Sequence, residues 1–250
     1  MCLIAVAIEQ NPKYPFILIA NRDEFYERPT ETAHFWNDHP NLLAGRDLKA
    51  YGTWLGVTVE GKIAALTNFR EPTETHKEKS RGELPVNFLT RNVHAYDYMI
   101  SLQSVKDSYN GFNLFAGHFN ELYYYSNREN EVRKVPEGIH AVSNHLLNTS
   151  WPKVDLLKEY FSNYLCENVE PDPEKLLTLL DHAEPALDRD LPDTGIPLEW
   201  ERMLSSIYIN SDTYGTRAQT VVIVSNDGEV TFMEKANEKI NKFQFFIDPS

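Results

Sequence analysis

A cysteine stands at position 2, with only a methionine before it. Its side chain is small enough that Met1 is expected to be removed, which would make Cys2 the mature N-terminus. Thiol and free α-amine would then share one residue. With reference pKa values of about 8 for the amine and about 8.5 for the thiol, the amine can take the thiol's proton near neutral pH. A cysteine in that position is a nucleophile carrying its own base. The same residue also reads as a small, inert apolar side chain buried in a first strand.

Other residues could complete such a site. Asn21-Arg22-Asp23-Glu24 sets three charges directly after an apolar stretch. A guanidinium lowers a nearby thiol's pKa, and a carboxylate can hold an α-ammonium in place. The plainer reading is a solvated strand end with weak local ion pairs. Thr67-Asn68-Phe69-Arg70 and Ser143-Asn144-His145 each put an asparagine at the end of a predicted strand. Its NH₂ could donate to the oxyanion formed when a thiolate attacks an amide carbonyl; asparagine also simply suits turns. In Tyr214-Gly215-Thr216-Arg217, Arg217 either points into a site or covers a sheet edge.

Metal and phosphate chemistry find no pattern. The eight histidines are scattered without HExxH or another zinc spacing. There is no Cys-x-x-Cys-His and no glycine-rich loop between strand and helix. Trp36, Trp54, Trp151 and Trp200 read as core or rim anchors rather than a ligand box.

Composition narrows the class. A chain of 250 residues with no low-complexity tract or linker suits a single domain, 1–250. The net charge of −13 disfavours nucleic acid and anionic membrane surfaces. Two cysteines, Cys2 and Cys166, make no disulfide framework, so a reducing, cytoplasmic location is expected. The apolar stretch after Met1 ends at Glu9, too short for a signal peptide or membrane span. The partner implied is a small-molecule substrate or ligand, with homo-oligomerisation left open.

The elements that must position these residues begin with two continuous apolar runs, 2–8 and 16–20, rich in β-formers and expected to be buried on both faces. Asn11-Pro12-Lys13 turns between them. Antiparallel pairing of the two brings the charged quartet beside Cys2. A second hairpin is predicted over 53–59 and 62–68, turning at Glu60-Gly61, then an exposed loop over 71–84. Apolar spacing predicts one helix over 84–102, strands over 111–119, 122–126 and 139–144, and a helix over 151–165 with Pro152 in its first turn. Helical character continues over 174–183, and 184–197 reads as a surface excursion. A final hairpin is predicted over 219–225 and 230–233, with an edge strand at 243–247. Sequential hairpins and segregated helices predict an α+β fold, two antiparallel sheets sandwiched between helical layers.

The ordered set Cys2, Asn21-Arg22-Asp23-Glu24, Gly52-Thr53-Trp54-Leu55-Gly56, Leu66-Thr67-Asn68-Phe69-Arg70, Ser143-Asn144-His145 with Trp151-Pro152-Lys153, and Tyr214-Gly215-Thr216-Arg217 resembles the NRDE family, also called the transport and Golgi organisation 2 family. The matches run from residue 2 to about residue 235. The family looks like a branch of the N-terminal-nucleophile hydrolases, with a four-layer αββα sandwich, similar to choloylglycine hydrolases and penicillin V acylases. The resemblance implies a cysteine amidase or acylase needing no cofactor, with Cys2 as nucleophile and its α-amine as base. It implies Arg22 and Asp23 flanking the cysteine, Asn68 and Asn144 at oxyanion and amine-orienting positions, and Arg217 as a late active-site arginine. In those hydrolases two residues separate the early arginine and aspartate, whereas here the pair is adjacent. Adjacent residues of an extended strand face opposite ways, so without a kink only one can face the thiol. The resemblance also implies an alternative function, intracellular haem trafficking or acyl-lipid carriage on a hydrolase-like scaffold, with haem as cargo.

Overall fold

The computed structural model describes residues 2–72 and 76–248. Met1, whose removal is expected above, and residues 73–75 of the expected loop lie outside the described residues.

Strand β1 (Cys2–Ile8) pairs antiparallel with β2 (Phe16–Phe25), as the two apolar runs require, and both are buried along most of their length. They form the middle of a six-stranded sheet in the order β10-β1-β2-β11-β12-β13, where β10 is Gly138–Val142, β11 Tyr214–Val224, β12 Glu229–Ala236 and β13 Lys239–Phe246. The second sheet has seven strands in chain order: β3 (Thr30–Phe35), β4 (Leu42–Asp47), β5 (Leu55–Thr58), β6 (Lys62–Asn68), β7 (Phe112–His118), β8 (Glu121–Ser126) and β9 (Val132–Lys134). Every pairing in both sheets is antiparallel.

Side-chain alternation sorts the strands into layers. Ile4, Val6, Phe16, Leu18, Ala20 and Val222 meet Leu43, Val57, Ile63 and Phe115 between the sheets. The intervening Leu3, Ala5, Ile17, Ile19, Val221 and Ile223 face α3 (Pro152–Glu167) and α4 (Pro173–Thr178) through Val154, Leu157, Phe161 and Leu176. On the far side, α1 (Glu83–Leu89) and α2 (Ala95–Gln103) cover the seven-stranded sheet with Leu84, Phe88, Tyr98 and Met99. The result is the expected four-layer arrangement, helices outside and two sheets within.

Several expected boundaries move. The second strand does not stop at Ala20 but carries the charged quartet within it to Phe25. The single helix over 84–102 is two helices: the first closes at Thr90, and His94 caps the second by accepting from Tyr96 N–H. The excursion over 184–197 is followed by a short helix, α5 (Leu198–Met203), which apolar spacing does not announce. Among the described residues no helix is long and apolar enough to cross a membrane.

One buried carboxyl ties the sheets together. Glu234 of β12 faces the inter-sheet layer and accepts from Ala33 N–H of β3 at 2.6 Å. Burial pushes it up to about 7, against the pull of that N–H and of the Arg22 charge. The folded chain therefore keeps this proton up to about pH 7, whereas an unfolded glutamate releases it near pH ~4.3. Folded protein binds more protons in that window, so stability is full below it and lost as pH rises through it. Glu234→Gln keeps the acceptor and removes the titration. Its melting temperature should vary less between pH 5 and 7 than that of the unsubstituted protein; parallel curves would show that Glu234 does not titrate there.

Candidate active site

Cys2 opens β1 directly opposite Arg22 of β2 in the antiparallel register, so both side chains stand on the inter-sheet face. The Arg22 guanidinium lies 4.0 Å from the Trp54 ring centroid, and its Nη1 donates to Thr30 Oγ1 at 3.1 Å. Trp54 can lie there because position 45 is glycine: a Cβ on Gly45 would come within 2.2 Å of the indole. Gly52 serves a second close approach, since a Cβ there would sit 2.4 Å from the Gly82 carbonyl carbon. That contact, with Thr53 N–H donating to Gly82 O at 3.0 Å, brings residues 80–82 into the wall of the cavity that Cys2 lines.

Asp23 falls on the opposite face of β2, as alternation demands. Asn21, its neighbour on that face, donates to the carbonyls of Leu180 and Ile207 in the outer layer. Asp23 Oδ1 accepts from Thr216 Oγ1 at 2.7 Å. Thr216 reaches it because the β2–β11 register slips between Thr216 and Ala218, leaving Arg217 as the extra residue of a bulge. Both Arg22 and Asp23 nonetheless line the same cavity as Cys2. No kink is needed for this.

Burial pushes the Cys2 thiol up, and the Asp23 charge adds to this. The Arg22 charge and a hydrogen bond from the Asp23 backbone N–H pull it down without reversing the shift. The group is thus a thiol at neutral pH, and attack requires a proton acceptor. Burial also pushes the Asp23 carboxyl up, chiefly against the charge of Lys153 in the first turn of α3. Lys153 is itself buried, and burial lowers it to about 8.

Asn68 ends β6 and lines the cavity, which measures about 110 Å³. Asn144 does not line it. Its Nδ2 donates to Asn68 O at 2.9 Å, its Oδ1 accepts from Ser143 Oγ at 3.0 Å, and its carbonyl accepts from Arg70 N–H at 2.7 Å. Fully buried, it clamps the end of β6 to the segment after β10. Arg217 is also outside the cavity: its Nη1 donates to the Arg28 carbonyl and, at 3.2 Å, to Phe25 O. The structure therefore gathers Cys2, Arg22, Asp23 and Asn68 and leaves Asn144 and Arg217 in supporting positions.

Sequence reasoning gave no role to several neighbours. The Arg28–Asp47 pair (2.5 Å) lines the cavity with Glu24 and Arg81. A cleft of about 580 Å³ shares Glu24, Arg28, Asn68 and Arg81 with it and is walled by Phe25, Phe69, Trp200 and Tyr214. Beside it, Arg70 and Glu201 form a buried ion pair at 2.5 Å, with Arg70 4.6 Å above the Trp151 ring. Lys153 carries a signal that could have been read: it sits four residues before Leu157, on the stripe continued by Phe161 and Leu165. Among the described residues no cluster of three or more His, Cys, Asp or Glu is placed to hold a metal ion.

Comparison with known proteins agrees with this architecture. The family model described as Transport and Golgi organisation 2 matches residues 1–239. The chain is 36% identical over 258 residues to the Transport and Golgi organization protein 2 homolog of Homo sapiens, covering 94% of this chain and 93% of that one. It is 33% identical over 256 residues to the Mus musculus homolog, with the same coverage. Among solved structures, a mutant conjugated bile acid hydrolase from Clostridium perfringens matches at a TM-score of 0.52 and 8% identity, covering 98% of this chain and 92% of that one. A Caenorhabditis elegans N-acylethanolamine-hydrolyzing acid amidase ortholog matches at 0.50 and 8%, covering 89% and 92%. At such identities these two show a shared fold.

The clamp role of Asn144 has a measurable cost. Asn144→Ala would take the side-chain donor from the part-buried Asn68 carbonyl and leave Ser143 Oγ with only Cys2 O at 3.3 Å, and should lower the unfolding free energy in urea by about 1–3 kcal/mol. An unchanged transition midpoint would show that the clamp contributes nothing.

Proposed function

The chain belongs to the transport and Golgi organisation 2 family, and from that premise we propose that it is an N-terminal-cysteine amidohydrolase acting on non-peptide or short-peptide C–N bonds. The observation that carries this reading is the convergence of Cys2, Arg22, Asp23 and Asn68 on one cavity. Removal of Met1 frees the Cys2 α-amine. Asp23 holds that amine's protonated form, and Arg22 supplies positive charge beside the sulfur.

In the reaction, the thiol proton passes to the α-amine as Sγ attacks the amide carbon. The carbonyl oxygen becomes an oxyanion, for which the Asn68 amide is the donor at the cavity wall. Collapse breaks the C–N bond, and the leaving amine takes the proton from the α-ammonium, leaving an acyl-thioester on Cys2. Water then attacks the thioester, its proton returning through the α-amine, and acid and thiol are released. Only the reacting carbonyl and its near atoms fit about 110 Å³. The rest of the substrate lies in the adjoining aromatic-walled cleft.

That cleft also favours a second reading, carriage of haem or an acyl lipid. Its volume of about 580 Å³ falls within the ~300–1,000 Å³ usual for small-molecule sites. A carrier needs no free amine at Cys2 and no turnover; haem titration followed in the Soret region, with Cys2 and histidine variants, reads it directly.

The amidohydrolase reading is tested by intact mass and by turnover on a panel of N-acyl aminocoumarin amides. The mature mass should lack Met1, and Cys2→Ala should lose at least ~10³-fold of any turnover. Retention of Met1, or Cys2→Ala turning over every amide as the unsubstituted protein does, would contradict it.

A further inference from the structure

Lys153 has an unusual position for a lysine. It sits one residue inside α3, on the face that packs against the six-stranded sheet, and is 2% exposed. Its Nζ is sealed from solvent and, among the described residues, has no hydrogen-bond partner. A lysine with this reach normally extends its head to water. Leaving an ammonium buried and unbonded costs several kcal/mol unless other charges offset it.

The surroundings supply that offset from one side in particular. Asp23 of β2 is the strongest favourable charge on Lys153, followed by the Cys2 sulfur of β1 and Glu201 of α5. Arg70, after β6, opposes it. The relation is reciprocal, since Lys153 is also the largest charge favouring an ionised Asp23. Glu201 is already bound to Arg70 at 2.5 Å and to Thr194. Asp23, on the face of β2 that α3 covers together with Ile17 and Ile19, is therefore the carboxylate on which Lys153 bears most. The Tyr214 hydroxyl, pushed up by burial and by the charges of Asp23, Cys2 and Glu24 against that of Arg70, stays neutral.

Resting on the amidohydrolase reading, we propose that Lys153 is the positioning residue of the Cys2 centre: its sealed ammonium keeps Asp23 a carboxylate, and Asp23 in turn holds the Cys2 α-ammonium beside the sulfur. Lys153 neither touches the substrate nor exchanges a proton in the cycle. Without it, the buried Asp23 takes up a proton and releases the α-ammonium, and the sulfur loses the positive charge that stabilises its ionised form.

The test uses the full chain and the pH dependence of Cys2 alkylation by iodoacetamide, read by peptide mapping, which needs no known substrate. Lys153→Met should alkylate about tenfold more slowly at pH 7, its midpoint moved up by about one pH unit. Lys153→Arg, which keeps the charge, should stay close to the unsubstituted protein. In an Asp23→Asn background the Lys153→Met shift should vanish, because Lys153 acts through Asp23. Melting checks that each variant is folded at the assay temperature; should Lys153→Met fail to fold, Lys153→Gln carries the same comparison. An unmoved midpoint in a folded neutral variant overturns the inference and leaves the amidohydrolase reading standing. A shift that persists with Asp23→Asn overturns the route through Asp23. A Cys2 that does not alkylate in the unsubstituted protein removes the reading and the inference together.

Discussion

The pairing of β1 with β2 is the constraint on which the site depends. Its register sets Cys2 against Arg22, and strand alternation then sends Asp23 to the opposite face. Shifting that register by one residue would put Arg22 among the apolar side chains beneath α3 and α4 and turn Asp23 toward Trp54. The register is held by two independent layers. Ile4, Val6, Phe16 and Leu18 fill the space between the sheets, while Leu3, Ala5, Ile17 and Ile19 pack under the helices. A slip would therefore misplace apolar side chains on both faces.

Around this register the fold tolerates an unusual density of buried ionisable side chains: Arg22, Asp23, Arg70, Lys153, Glu201 and Glu234 are each less than a tenth exposed. Arg70 and Glu201 neutralise one another directly. Arg22 lies against the Trp54 ring, and Asp23 is balanced across layers by Lys153. Charges arranged this way are a poor route to stability and a good one to fixed electrostatics, because water is excluded and no solvent reorganisation is needed. The thiol they surround is held protonated by burial, ready to react only when a base takes its proton.

The central strands were legible in the sequence because strands buried on both faces have continuous apolar runs, and the four-layer class followed from their order. The first two strands of the seven-stranded sheet were not. Thr30–Phe35 keeps only Ala33 fully buried, and Leu42–Asp47 mixes apolar residues with glycine and charge. The break between α1 and α2 contains neither proline nor glycine, so apolar spacing runs through it. For the site, local sequence placed Cys2, Arg22, Asp23 and Asn68 through strand ends and one hairpin. It could not show that the Asn144 amide is committed to the Asn68 carbonyl, or that a bulge turns Arg217 to backbone carbonyls. Both depend on contacts between strands distant in sequence.

The central claim is that Cys2 is an activated thiol in spite of its burial. Cys166, exposed on α3, is an internal control in the same molecule. Competitive alkylation at pH 7 with a limiting amount of iodoacetamide, followed by peptide mapping, measures the two cysteines together. The account predicts that Cys2 in the mature chain is labelled ahead of Cys166. Labelling confined to Cys166, with Cys2 left untouched until the protein unfolds, would contradict it.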